Sequence, residues 1–191
     1  MAEPVRDDDA AGISPALRAW AQRGEEAALV AVQQALADQP GVLAGARALS
    51  HFGEHSIGWV VVAALGALLQ PSRRRAWLAA GVGAFVAHAA AVIIKRVVKR
   101  ERPHHPAVAV NVGTPSRLSF PSAHATSTTA ASILLARTTG LPVPVVLVPP
   151  MALSRLLLGV HYPSDVLTGV AVGAVVAKTV GAVADRVGGD G

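Results

Sequence analysis

Three short stretches of this 191-residue chain concentrate side chains suited to handling a phosphate group: KRVVKRERP at 95–103, PSAH at 121–124 and SRLLLGVHYPSD at 154–165. They offer cations, two histidines and two carboxylates, Glu101 and Asp165, without the cluster of acids that a divalent metal would need. Asp165 follows His161 by four residues, so its carboxylate is close enough to accept a hydrogen bond from one ring nitrogen. That bond fixes the tautomer and leaves the other nitrogen free to act as a nucleophile toward phosphorus. His124 has no carboxylate near it in sequence and is the candidate general acid for a departing alkoxide. Phosphoryl transfer spreads negative charge over three equatorial oxygens, and Lys95, Arg102 and Arg155 are the cations available to meet it. Two expected helix starts, Pro121-Ser122 and Pro163-Ser164, present unpaired backbone N–H groups suited to anions, and Ser122 adds a hydroxyl donor.

A fourth stretch, HFGEHSIGW at 51–59, poses a different question. His51, Glu54 and His55 spell H-x-x-E-H, which on a helix can bind zinc. A further ligand is not obvious, because the acids that follow are Glu101, Asp165, Asp185 and Asp190, and Asp165 is already matched to His161. Two other readings stay open. These residues are interfacial polar groups at the start of an apolar helix, or they rim a phosphate pocket and meet the part of the substrate beyond the phosphate.

The elements that must position these residues are apolar. Hydrophobic residues make up 52% of the chain, charged residues 15%, and the mean hydropathy is +0.45, against about a quarter charged in an ordinary soluble domain. A membrane protein follows. With no cysteine, disulfides, thiolate metal sites and cysteine nucleophiles are excluded. The net charge of +5 lies largely in clusters at 73–75 and 95–102, at the ends of apolar runs, and aromatics are only 4%, so nucleic acid is not an expected partner. The first dozen residues are polar and acidic, unlike a signal peptide, so insertion is expected to rely on internal segments.

The pattern predicts an all-α, polytopic transmembrane bundle of about five to six helices with an N-terminal amphipathic helix. Residues 1–13 read as a disordered tail. Ser14-Pro15 opens an amphipathic helix to about 38 that lies on the membrane surface or packs across the bundle. The membrane domain runs over 42–185, and 186–191 form a tail. Helical spacing continues from 42 to 70, with a span over 51–70; further spans cover 76–94, 121–136, 141–158 and 166–184. The segment at 121–136 is rich in Ser and Thr and must hide its hydroxyls against other helices. If each segment crosses once, His51, Lys95, Arg102, His124, Arg155 and Asp165 share one face, while 73–75 and 137–140 lie on the other. Arginines at the second face favour the cytoplasm there and an extracytoplasmic site on the plasma membrane.

The spacings K-x6-RP, PSxH and SR-x5-H-x3-D, in that order, resemble the three-part signature of the type-2 phosphatidic acid phosphatase superfamily of membrane lipid phosphatases. Lys95, Arg102 and Pro103 match the first part, Pro121, Ser122 and His124 the second, and Ser154, Arg155, His161 and Asp165 the third. The resemblance implies a metal-free phosphatase without cofactor, acting on a lipid-linked phosphate. His161 would form a phosphohistidine, Asp165 would orient it, and His124 would protonate the leaving group and later activate water. Lys95, Arg102, Ser122, Arg155 and the Ala123 backbone N–H would hold the phosphate. The family usually has glycine where Ala123 stands, which bears on how closely substrate approaches. Within the superfamily the chain looks similar to the decaprenylphosphoryl-5-phosphoribose phosphatase group of cell-wall arabinan synthesis. Undecaprenyl diphosphate and phosphatidate are the alternative substrates, and a non-enzymatic transporter subunit or scaffold is the alternative of a different class.

Overall fold

The computed structural model describes residues 14–189, so the expected N-terminal tail lies outside the described residues. Seven α-helices follow one another: α1 (Pro15–Leu36), α2 (Val42–Gly53), α3 (Ile57–Leu69), α4 (Arg74–Val98), α5 (Ala123–Thr139), α6 (Val143–Leu157) and α7 (Pro163–Gly189). Ser14 caps α1, accepting from the Leu17 N–H at 3.2 Å, with proline in the first turn. α7 continues to Gly189, so helix replaces most of the tail expected from 186.

Val42–Leu69, Pro71–Val98 and Pro163–Val187 are long and apolar enough to cross a membrane, and α6 is a shorter apolar helix. α5 has a different composition because it has a different neighbourhood. It is the central element, packed by α4, α6 and α7, and it buries residues on every side, from Ala123 through Thr138. Several of its hydroxyls are satisfied within the helix: Thr126 donates to the Ser122 carbonyl (2.8 Å), Ser132 to Thr128 (2.6 Å) and Thr138 to Leu134 (2.8 Å), while Thr129 Oγ1 is buried without a partner among the described residues. Thr128 also accepts from the Trp59 indole at 3.2 Å. Buried polar groups bonded in this way avoid the cost of exposing them to hydrocarbon.

The core is built largely from small residues. Ala80, Ala84 and Ala87 of α4 meet Ala130 and Ala131 of α5 and Ala177 of α7. Small side chains let backbones approach closely where lipid offers no hydrophobic drive between helices. The outward surface carries the large apolar residues instead: Leu65, Leu69, Phe85, Ile93, Val145, Leu167 and Val175 are all exposed. This is the distribution a bilayer solvent favours.

Of the two placements open to α1, the packed one holds. Leu29 is fully buried, and the Gln33 amide donates to the carbonyls of Ala109 (2.7 Å) and Leu157 (3.0 Å) while accepting from the Ala109 N–H (2.9 Å). One side chain thereby ties α1 to the loop after α4 and to the end of α6.

The helix expected to run unbroken from 42 to 70 is broken. A short 3-10 turn, Glu54–Ser56, separates α2 from α3, with His55 at φ 50° and Ser56 at φ 60°. The H-x-x-E-H residues therefore do not share a helical face as the zinc pattern requires. Among the described residues no group of three or more His, Cys, Asp or Glu is arranged to hold a metal ion.

Candidate active site

Two ends of the bundle are defined by contacts between distant residues. At one, Arg73 donates to the Thr138 carbonyl (2.8 Å) and Arg137 pairs with Asp185 (2.7 Å). At the other, Lys95 at the end of α4 donates to the Ser119 carbonyl (2.6 Å), and the Ser122 N–H donates to the Asp165 carbonyl (2.9 Å). The expected partition of the loops into two faces follows from these pairs.

At the second end, Lys95, Arg102, His124, Arg155 and His161 line one cavity of about 560 Å3. Each arrives from a different element. Lys95 ends a helix, and Arg102 begins the loop after it. His124 sits in the first turn of α5, Arg155 in the last turn of α6, and His161 in the connection to α7. That connection turns at Gly159, whose φ is +69° and where a Cβ would stand 2.3 Å from the Ala109 carbonyl oxygen. Only glycine fits there.

Arg102 is fixed before any substrate arrives. Its Nε donates to the Ser116 carbonyl (2.8 Å) and its Nη1 to the Val160 carbonyl (2.6 Å), with His161 Nε2 3.3 Å from the same Nη1. A guanidinium can only donate, so the contact places the lone pair on His161 Nε2 and the proton on Nδ1. Nδ1 lies 3.5 Å from Asp165 Oδ2, on the side away from Arg102. Burial, and then the cations Arg102, Lys95 and Arg155, push His161 well below the ordinary histidine pKa, which keeps it neutral. Arg102 is itself lowered to about 10, chiefly by burial and against the pull of Asp165, and remains a cation at neutral pH.

Arg155 is fully buried. Its Nη1 donates to the Ser50 hydroxyl at 3.2 Å, while Nε and Nη2 have no partner among the described residues. Unpaired buried donors are costly unless an anion satisfies them, and a tetrahedral phosphate suits a guanidinium fork. His124 Nε2 is 2.9 Å from the Ser50 carbonyl, which can only accept, so Nε2 carries hydrogen and Nδ1 is the nitrogen left for proton transfer.

The structure brings His51, Glu54, His55 and Ala123 to the wall of the same cavity. It does not bring Ser122 there. Ser122 is fully buried, and its hydroxyl oxygen accepts from the Ala125 N–H (3.4 Å) as the cap of α5. Asp165 also stands behind the wall, beside His161. Sequence reasoning missed Ser50, which orients both His124 and Arg155, and Arg100, which donates to Asp165 Oδ1 (2.9 Å) and Ser164 (2.6 Å) and pairs with Glu25. It also missed His88 and Arg96 of α4, which line the cavity. The lone histidine in the apolar run of α4 was the one visible signal among these.

A family model described as the PAP2 superfamily matches residues 76–187, more than half of the chain. The chain belongs to the PAP2 superfamily. It is similar to the decaprenylphosphoryl-5-phosphoribose phosphatase of Mycobacterium tuberculosis, 72% identical over 169 residues that cover 88% of this chain and 93% of the relative. It is likewise similar to the protein of that name from Mycolicibacterium smegmatis, 78% identical over 149 residues covering 78% and 83% of the two chains. Among solved structures, a transmembrane PAP2 type phosphatidylglycerolphosphate phosphatase from Bacillus subtilis superposes with a TM-score of 0.71 at 21% identity, covering 87% of each chain. Aquifex aeolicus LpxE does so with a TM-score of 0.59 at 18% identity, covering 80% of this chain and 91% of the other. Both share the fold of a helical membrane bundle.

Proposed function

We propose that this PAP2 protein is a multi-pass phosphatase of the plasma membrane that hydrolyses the 5-phosphomonoester of decaprenylphosphoryl-5-phosphoribose through a phosphohistidine on His161. The observation that carries the chemistry is the convergence on one cavity of His161 Nε2, His124 and the unpartnered donors of buried Arg155. The substrate is supported by the names of relatives that are 72% and 78% identical over most of both chains. Those names also favour an enzyme over a transporter subunit or scaffold.

The phosphate enters between Arg155, Arg102 and Lys95, and takes Arg102 Nη1 away from His161 Nε2. That nitrogen then attacks phosphorus in line with the ester oxygen, a P–N bond forms and the P–O bond breaks. His124 gives the leaving oxygen its proton, and the negative charge of the bound phosphate favours that proton's presence beforehand. Asp165 compensates the positive charge that develops on the His161 ring. In the second half, His124 takes a proton from water, the water oxygen attacks phosphorus, the P–N bond breaks and inorganic phosphate departs. His161 returns to its neutral form.

Purified protein supplied in parallel with decaprenylphosphoryl-5-phosphoribose, undecaprenyl diphosphate and phosphatidate is expected to release phosphate fastest from the first. His161→Ala should lower release at least about 1,000-fold, and a chelator should leave it unchanged. Equal release by wild type and His161→Ala would overturn the nucleophile. Preference for either other lipid would overturn the substrate.

A further inference from the structure

The turn between α2 and α3 is the polar part of the cavity that the phosphate chemistry leaves unused. Its backbone lies directly against the general acid: a Cβ added to Gly53 would stand 2.8 Å from His124 Cδ2. His55 and Ser56 adopt left-handed backbone conformations in succession. Residues other than glycine do so rarely, and backbone held in this way at a cavity wall is held for what it presents. It presents Glu54 and His55 to the cavity, beside His51, whose Nδ1 is 3.8 Å from Glu54 Oε2. From α4, His88 faces His55 with ring centroids 5.6 Å apart, and its Nδ1 is buried without a partner among the described residues.

Position decides what such a cluster meets. His124 gives its proton to the oxygen leaving phosphorus, so the group carried by that oxygen lies on the His124 side of the phosphate, against this turn. Chemistry decides what it accepts there. A carboxylate repels a second phosphate joined directly to the first, and it finds no donor on an acylglycerol. It accepts hydrogen bonds from hydroxyls, and imidazoles both donate and accept.

We propose that Glu54, His55, His51 and His88 form a leaving-group subsite that binds sugar hydroxyls, with Glu54 accepting from them, and that this subsite separates sugar phosphomonoesters from phosphatidate and prenyl diphosphates. The proposal rests on the functional reading above and deepens it by naming the residues that set the substrate class.

The test measures kcat/KM for wild type, Glu54→Gln and His55→Asn on decaprenylphosphoryl-5-phosphoribose, on its 2-deoxy and 3-deoxy counterparts, and on phosphatidate. Asparagine tolerates the left-handed conformation, so the second variant keeps the turn while removing the ring. In each variant the ratio of ribosyl lipid to phosphatidate should fall roughly 10- to 100-fold, the range for a lost hydrogen bond to a charged partner. For Glu54→Gln the loss should shrink on at least one deoxy substrate, because the bond is then already absent. A wild-type preference for the ribosyl lipid that survives both substitutions overturns the subsite alone. Wild-type protein active on phosphatidate but not on the ribosyl lipid overturns the proposed substrate, and the subsite with it.

Discussion

Asp165 shows how much one buried carboxylate organises. Its Oδ1 accepts from Arg100, and its Oδ2 accepts from the Tyr162 N–H at 2.9 Å while facing His161. It therefore holds the backbone that carries the ring and faces the ring itself at 3.5 Å, without a hydrogen bond to it. Arg100 in turn pairs with Glu25 and stacks over the Tyr162 ring at 4.1 Å. Removing this cation leaves Asp165 buried with less compensation and free to shift. Arg100→Gln is expected to lower kcat about tenfold or more with KM little changed, since small displacements of a catalytic group are costly and substrate contacts are untouched. Lysine at the position should rescue only in part, because an ammonium does not bridge two carboxylates as a guanidinium fork does. A rise in KM alone would show that Arg100 acts on substrate directly. Nothing periodic in the sequence links Arg100 to Asp165 or to Glu25, and a contact to a backbone carbonyl, such as His124 to Ser50, leaves no sequence trace at all. His124 and His161, the proposed catalytic histidines, stand out in the sequence because the chemistry proposed for them fixes residue type and spacing. Their supports do not. Titration offers a second check at this scale. His161 binds its proton less readily folded than unfolded, so the unfolded chain takes up the proton first as pH falls below about 6.5, and stability falls with it. Thermal melts in detergent between pH 7.5 and 5 should show a steeper loss for wild type than for His161→Asn. Parallel curves would mean that His161 is not held neutral by burial.

At the scale of elements, the spans were legible from composition, and α5 was recognised as buried among other helices because its hydroxyls have no place in lipid. The break at 54–56 was not legible. Gly53 and Gly58 flank it without proline; Gly53 lies against His124 and Met151, far away in sequence, and the other contacts at the break are between near neighbours. Phe52 folds over Gly58, where a Cβ would come within 2.6 Å of its ring, and meets Trp59 edge to face at 4.7 Å. Close packing of α5 on α7 is similarly decided by glycines whose partners lie far away in sequence. A Cβ on Gly173 would stand 2.4 Å from the Thr126 carbonyl oxygen, and one on Gly169 would stand 2.8 Å from that of Ser122. These contacts set the distance between α5, which carries His124 in its first turn, and α7, which holds Asp165. Gly173→Leu should therefore destabilise the protein by about 1–3 kcal/mol through overpacking and lower kcat as well. Gly45→Leu is the control, since nothing lies within 4 Å of a Cβ there. Equal melting temperatures for the two variants would show that α5 and α7 tolerate separation.

For the whole molecule, the question is which face of the membrane holds the cavity. Arg74 and Arg75 are exposed at the end of the bundle opposite the cavity; at the cavity end Lys95 and Arg102 turn inward on carbonyls, on His161 and on the space for phosphate, while Arg96, Lys99 and Arg117 are exposed. Exposed cations stand at both ends, and we propose that the arginine cluster at 73–75, in a short loop between two apolar segments, sets the orientation and faces the cytoplasm. Under that proposal the site faces outward, and the proposed lipid-linked substrate meets it after crossing the bilayer. The absence of cysteine makes this directly measurable, because a single introduced thiol has no background. His104→Cys, on the exposed loop beside the cavity, is expected to react in intact cells with a membrane-impermeant maleimide, and Arg74→Cys only after the cells are opened. The reverse pattern would place hydrolysis in the cytoplasm and require the substrate to be dephosphorylated before it crosses.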